Sequence, residues 1–232
     1  KKSRELGDSI GVAGCLIGIG DAQLALGKTD SAIMCYKKAI EIEGEIGDKR
    51  GIARLKIRSC LSHSVFDDLE SQIDYYQESL VIAKEMGDSS EIATTLMKLG
   101  NTHYSSMSKE AINYYNQALV IYEKLDDIDN VLWAVRNIGN VYSKIGDYDK
   151  ALSYYEQALE IAEENENMLF IIVITLNIGY IYFDKNEEDK AFDFFNLSLE
   201  VAEKVSDKRW IRMCFMRIGW KCYLSGYYSK AL

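Results

Sequence analysis

Four columns of residues recur at steps of 39 or 40 along the whole 232-residue chain. A small residue comes round as Gly20, Cys60, Gly100, Gly139, Gly179 and Gly219, and eleven or twelve residues on stand Ala32, Gln72, Ala111, Ala151, Ala191 and Ala231. An aromatic column follows (Tyr36, Tyr76, Tyr115, Tyr155, Phe195), then a second small one (Ala39, Ser79, Ala118, Ala158, Ser198). A chain built this way must fold as one structural unit repeated and stacked, since a single unit cannot bury its own apolar face.

Within a unit the apolar residues keep helical spacing, as in Val135, Ile138, Tyr142 and then Leu152, Tyr155, Leu159. Gly146-Asp147 separates the two runs, and between units the same pair returns as Gly7-Asp8, Gly47-Asp48 and Gly87-Asp88. Glycine suits the left-handed residue after a helix, and aspartate caps the helix that follows. Asp88 and Glu91 have the spacing of a capping box. Proline is absent, where an average chain would carry roughly a dozen. Each unit therefore reads as two antiparallel helices, A then B. Gly139 and Ala151 allow a close A–B crossing, with Tyr155 filling the space beside it.

These residues resemble the tetratricopeptide repeat family, whose W-L-G-Y…A-F-A-P pattern is met by Val135, Ile138, Gly139, Tyr142, Ala151, Tyr155 and Ala158. The period of 40 is similar to that of kinesin light chain and related scaffolds, and Gly-Asp stands in for the proline that ends helix B. The resemblance implies an all-α protein, an α-solenoid of antiparallel helix pairs wound as a right-handed superhelix. A single array is expected over 1–232, with repeats at about 9–48, 49–88, 89–127, 128–167, 168–207 and an incomplete 208–232. Residues 1–8 are expected to be the tail of a preceding helix B, and the whole a fragment of a longer protein. The second repeat should pack most loosely, because Lys56, Cys60, His63 and Gln72 occupy columns normally apolar or small.

Composition removes several functions. A net charge of −9 argues against nucleic acid as a partner. Five cysteines without a CxxC pair fit a reducing compartment, hence a cytoplasmic protein. The apolar run 168–174 is too short to span a bilayer, so no membrane is expected. GVAGCLIGIG (11–20) aligns with the interior of a helix A and is read as packing rather than a phosphate loop, Gly14 and Gly18 allowing close helix contact. His63, His103 and Cys60 fall short of a zinc ligand set, and no catalytic triad can be placed. The sequence predicts no metal, no cofactor and no enzymatic activity.

In the family the A helices line the concave face through six positions per repeat. Here those positions hold six basic residues (Arg54, Arg58, Lys98, Arg136, Lys144, Arg217) against two acidic ones (Asp21, Asp184). They also hold Asn101, Asn137, Asn140 and Asn177, in the places where peptide-binding members use asparagine to pair with one backbone carbonyl and one amide. Apolar anchors are expected from Met97, Trp133, Tyr180, Phe183, Met213, Met216 and Trp220. The expected function is a scaffold binding an extended, acidic peptide segment of a protein. The alternative is a regulatory or sensor arm of a larger signalling enzyme (an ATPase, kinase or protease) that holds a segment of its own polypeptide. Uncapped ends would favour self-association.

Overall fold

A computed structural model describes residues 2–60, 69–105 and 109–224. Among them are eleven helices and no strand: α1 (Lys2–Ala25), α2 (Thr29–Ile46), α3 (Lys49–Cys60), α4 (Leu69–Glu85), α5 (Ser89–Ser105), α6 (Glu110–Lys124), α7 (Ile128–Ile145), α8 (Tyr148–Glu164), α9 (Met168–Asp184), α10 (Glu188–Val205) and α11 (Lys208–Leu224). The protein is an α-helical repeat solenoid of helix pairs. Its contacts gather into two compact units, Lys1–Asp126 and Asp127–Leu232. In the first, α1 pairs with α2, α3 with α4 and α5 with α6, and α2 and α4 each also pack on the helix that follows. In the second, α7 pairs with α8 and α9 with α10; α8 packs on α9, α10 on α11, and α7 also touches α9. None of the described helices is long and apolar enough to cross a membrane.

The helix stops are those the sequence marks. Gly47, Gly87 and Gly146 take the left-handed conformation. The carboxylates after them accept from the opening turn of the next helix: Asp48 from the Gly51 N–H at 3.0 Å, Asp88 from Glu91 at 3.2 Å and Asp147 from Lys150 at 3.4 Å. Where no glycine is available, Asp126, Glu166, Asn186 and Ser206 adopt the same positive φ. Asp127, Asn167 and Asp207 then supply the caps. One expected stop is not used. α1 runs unbroken through Gly7-Asp8, so residues 2–8 do not form a separate helix tail. A glycine inside a helix costs only about 1 kcal/mol, which a long helix absorbs.

The glycine column explains the close helix crossing and sharpens it. A Cβ built on Gly20, Gly100, Gly139 or Gly179 would sit 2.4–2.7 Å from the ring of Tyr36, Tyr115, Tyr155 or Phe195. Even a methyl group is excluded, because the aromatic column lies directly over the helix backbone. Those four rings are buried. Gly14 and Gly18 are different: a Cβ there meets nothing within 4 Å, so they serve no close contact among the described residues.

In the second repeat polar contacts stand beside the buried Leu55, Tyr76 and Ala83. Lys56 pairs with Glu78 and stands 5.0 Å over the Tyr75 ring. Lys49 and Arg50 on α3 reach Glu85 and Asp88. Gln72 accepts from the Thr102 hydroxyl at 3.4 Å. His63 and the side chain of Cys60 lie outside the described residues. The other histidine of that pair, His103, stacks on Tyr114 at 5.1 Å and meets Glu110 at 3.1 Å. No group of metal-ligating side chains occurs among the described residues.

Candidate functional site

The candidate residues sit on A helices, and each unit presents its own set. In the first unit these are α1, α3 and α5. The side chains of Arg54 and Arg58 on α3 lie outside the described residues. On α5, Met97 is 9% exposed and belongs to the core. Lys98, one residue on, is half-buried, and its burial lowers the ammonium pKa. Asn101 is exposed, with its Oδ1 accepting a 2.8 Å bond from the hydroxyl of Tyr115.

The second unit holds the fuller constellation, on α7, α9 and α11. Trp133 is 44% exposed, packs edge-on against Phe170 at 5.0 Å, and carries the Arg136 guanidinium over its face at 5.2 Å. Because Trp133 and Arg136 are three residues apart on α7, helical geometry alone brings them together. Asn137 and Asn140 are half-buried, and Lys144 is exposed at the end of the helix. From α9, Asn177 is only 9% exposed and donates from Nδ2 to Asn140 Oδ1 at 3.4 Å. Tyr180 lies edge-on to Phe195 at 5.4 Å. Burial pushes its phenol up to about 12, against the opposing pull of the neighbouring Arg217 on α11. Phe183, at 7% exposure, is packed edge-on to Phe192. Met216 stands exposed and Met213 half-buried on α11, while the side chain of Trp220 lies outside the described residues.

The structure thus brings Trp133 to Arg136 and Asn140 to Asn177, and it puts Met97, Phe183 and Asn177 into the packing. It also reveals a bond that the repeat columns had not suggested. Tyr36 donates to Asp21 Oδ1 at 2.7 Å, Tyr115 to Asn101 at 2.8 Å and Tyr155 to Asn140 at 2.7 Å. A buried tyrosine of helix B therefore reaches across to the A-helix residue just after the column glycine. In the fifth repeat the aromatic is Phe195, which has no hydroxyl, and the matching A-helix residue is Tyr180 rather than an amide or acid. That exchange of partners is visible in the sequence once the two columns are read together.

Chemically the arrangement offers amide donors and cations on one helix face. Cys214, the buried thiol nearest this set, contacts the Ser198 hydroxyl at 3.4 Å, and burial raises its pKa away from the reactive thiolate.

Comparison with known proteins agrees with this architecture. No curated protein matches the chain in sequence. Among solved structures, aspartyl phosphate phosphatase F from Bacillus subtilis superposes with a TM-score of 0.84 at 18% identity, over 99% of this chain and 60% of that one. A signal transduction ATPase with numerous domains that carries a tetratricopeptide repeat sensor, from Pyrococcus horikoshii, gives 0.79 at 16% identity, over 98% of this chain and 36% of that one. A Rap protein complexed with competence and sporulation factor gives 0.66 at 15% identity, covering 93% and 71%. The chain thus spans less than two thirds of the length of the first two, and at these identities the likeness is one of fold. Models of the tetratricopeptide repeat match residues 107–164, and again 13–45 and 175–205, together just over half of the sequence. With the 40-residue period, the capped helix pairs and the glycine-over-aromatic crossing, these matches establish that the chain belongs to the tetratricopeptide repeat family.

Proposed function

We propose that this member of a family of protein-interaction scaffolds binds an extended, acidic peptide segment along its A-helix faces. The observation that carries the reading is the second unit's α7–α9–α11 face. There Asn137 and Asn140 share α7 with Arg136 and Lys144, Asn177 is bonded to Asn140, and Arg217 neighbours Tyr180, with Asp184 the one acid at the matching positions of this unit among the described residues. Amide groups bind peptide backbone whatever its sequence, and the cations select carboxylates. Arg54, Arg58, Lys98 and Asn101 would extend the same chemistry in the first unit, and Trp133 and Tyr180 would anchor apolar side chains. The Rap protein bound to competence and sporulation factor lends support by analogy of fold. On this reading the chain is cytoplasmic and acts without catalysis, and nucleic acid and membranes are not its partners. Residues 1–232 form one array, supported by a period that holds across the whole sequence.

A second reading rests on the Pyrococcus horikoshii neighbour, whose repeats are described as a sensor within an ATPase. There the bound segment would belong to the same polypeptide. The test is selection from a random octapeptide library on the wild-type chain and on Asn137→Ala/Asn177→Ala. Enrichment of Asp- and Glu-containing peptides on the wild type, lost on the double variant with its circular dichroism unchanged, supports binding. Equal enrichment on both, or no acidic bias, rejects it.

A further inference from the structure

Asparagine can both donate and accept, and the pairing with peptide backbone described for this fold uses both halves. In this chain the accepting half of Asn140 is already taken. Its Oδ1 receives the Tyr155 hydroxyl at 2.7 Å and the Asn177 amide at 3.4 Å, one bond for each lone pair. The tyrosine hydroxyl is the donor, because Asn140 Oδ1 is an amide carbonyl oxygen with no hydrogen to give. In the first repeat Tyr36 likewise donates to Asp21 Oδ1. The same geometry recurs at Tyr115 and Asn101. The Nδ2 group of Asn140 takes no bond among the described residues, and Asn140 is half-buried rather than sealed.

We infer that Asn140 is a donor-only contact, set in that state by two positioning residues, Tyr155 and Asn177. It reads an acceptor on the ligand, a carboxylate or backbone carbonyl, and rejects a group that needs to donate. This deepens the reading above and rests on it. The consequence is directional. A peptide strand pairing with a free asparagine is held by a carbonyl and an N–H together. At Asn140 only the oxygen is recognised, so the backbone N–H of the ligand contributes nothing there. Arg136 on the same helix face adds to the preference for an anionic oxygen. The hydroxyl of a core tyrosine, buried for packing, thereby sets the specificity of a surface amide fifteen residues away in sequence.

The test uses two labelled octapeptides, Ac-(Glu-Val)4-NH2 and Ac-(Lys-Val)4-NH2, titrated by fluorescence polarisation against the full chain. The wild type binds the acidic probe in preference to the basic one. Asn140→Asp keeps an acceptor for Tyr155 and Asn177 but removes the donor. It lowers acidic-probe affinity by about tenfold, the scale of a charge-assisted bond. Asn140→Ala, which places no new charge on the face, gives a smaller loss in the same direction. Tyr155→Phe frees Oδ1 and lets the amide rotate, so the preference for the acidic probe falls by about threefold, a readout that loss of stability alone does not move. Unchanged acidic-probe affinity in both Asn140 variants, or an unchanged preference in Tyr155→Phe, overturns this inference and leaves the scaffold reading standing. Failure of the acidic probe to bind the wild type overturns both.

Discussion

Replacing Gly139 by alanine tests the packing rule on which the whole array is built. The new Cβ would lie 2.7, 2.8 and 3.3 Å from three atoms of the Tyr155 ring. Tyr155 is buried and its hydroxyl is tied to Asn140, so the ring has no open side to move into. Overpacking of this kind costs about 1–3 kcal/mol. Displacing the ring also strains the Tyr155–Asn140 bond, worth about 0.5–1.5 kcal/mol. Against these stands the better helix propensity of alanine, about 1 kcal/mol. The net expectation is a loss of roughly 1–3 kcal/mol. Gly18→Ala is the control. It also sits inside a helix, but nothing lies within 4 Å of its new Cβ, so only the propensity gain of about 0.5–1 kcal/mol remains. Urea unfolding followed by far-ultraviolet circular dichroism should move the two midpoints in opposite directions. A third variant, Gly139→Ala/Tyr155→Leu, should lose less than the two single changes added together, because the clash is removed with the ring. If Gly139→Ala is as stable as the wild type, or if the double change is simply additive, the glycine column does not act through the aromatic column.

Other changes probe the loops and the charged groups. Glu166→Gly relieves a non-glycine residue held at φ 51° and should raise stability by about 0.5–1 kcal/mol in the same urea experiment. Asp147→Ala removes the cap at the start of α8 and should cost about 1 kcal/mol. Lys98→Met should raise the melting temperature while weakening acidic-probe binding. Burial depresses the Lys98 pKa in the folded chain, so the charged form opposes folding below that pKa and the penalty fades as pH rises towards the unfolded value. The stabilisation by Lys98→Met should therefore be larger at pH 7 than in strong alkali. Asp207 and Glu200 are held below the ordinary carboxylate range by hydrogen bonds from Arg209 and Lys204. Their contribution should be complete above that range and disappear as pH falls through the depressed values, which a series of melting temperatures from pH 5 to pH 2 will show.

The period, the helix pairs and most of the punctuation are properties of the sequence alone. Gly-Asp steps act within a few residues of backbone, and a left-handed glycine followed by a carboxylate cap needs no distant partner to be read. The glycine and aromatic columns also announced their contact, because both repeat at one period and face the same crossing. What the sequence left open is whatever depends on the neighbouring helix. Gly14, Gly18 and Gly139 look alike in a helical pattern, yet only Gly139 has an aromatic ring over it. Met97 and Phe183 share helical stripes with Asn101 and Tyr180, but the adjoining helices cover them. Gly7-Asp8 matches its later copies and still lies inside α1, since one glycine costs a helix only about 1 kcal/mol. Asn140 could have served as donor and acceptor alike until a tyrosine from α8 and an asparagine from α9 filled its oxygen. Spacing along one helix fixes which residues share a face. Burial, hydrogen-bond saturation and the chemistry left over for a ligand are decided by what the next helix places against that face.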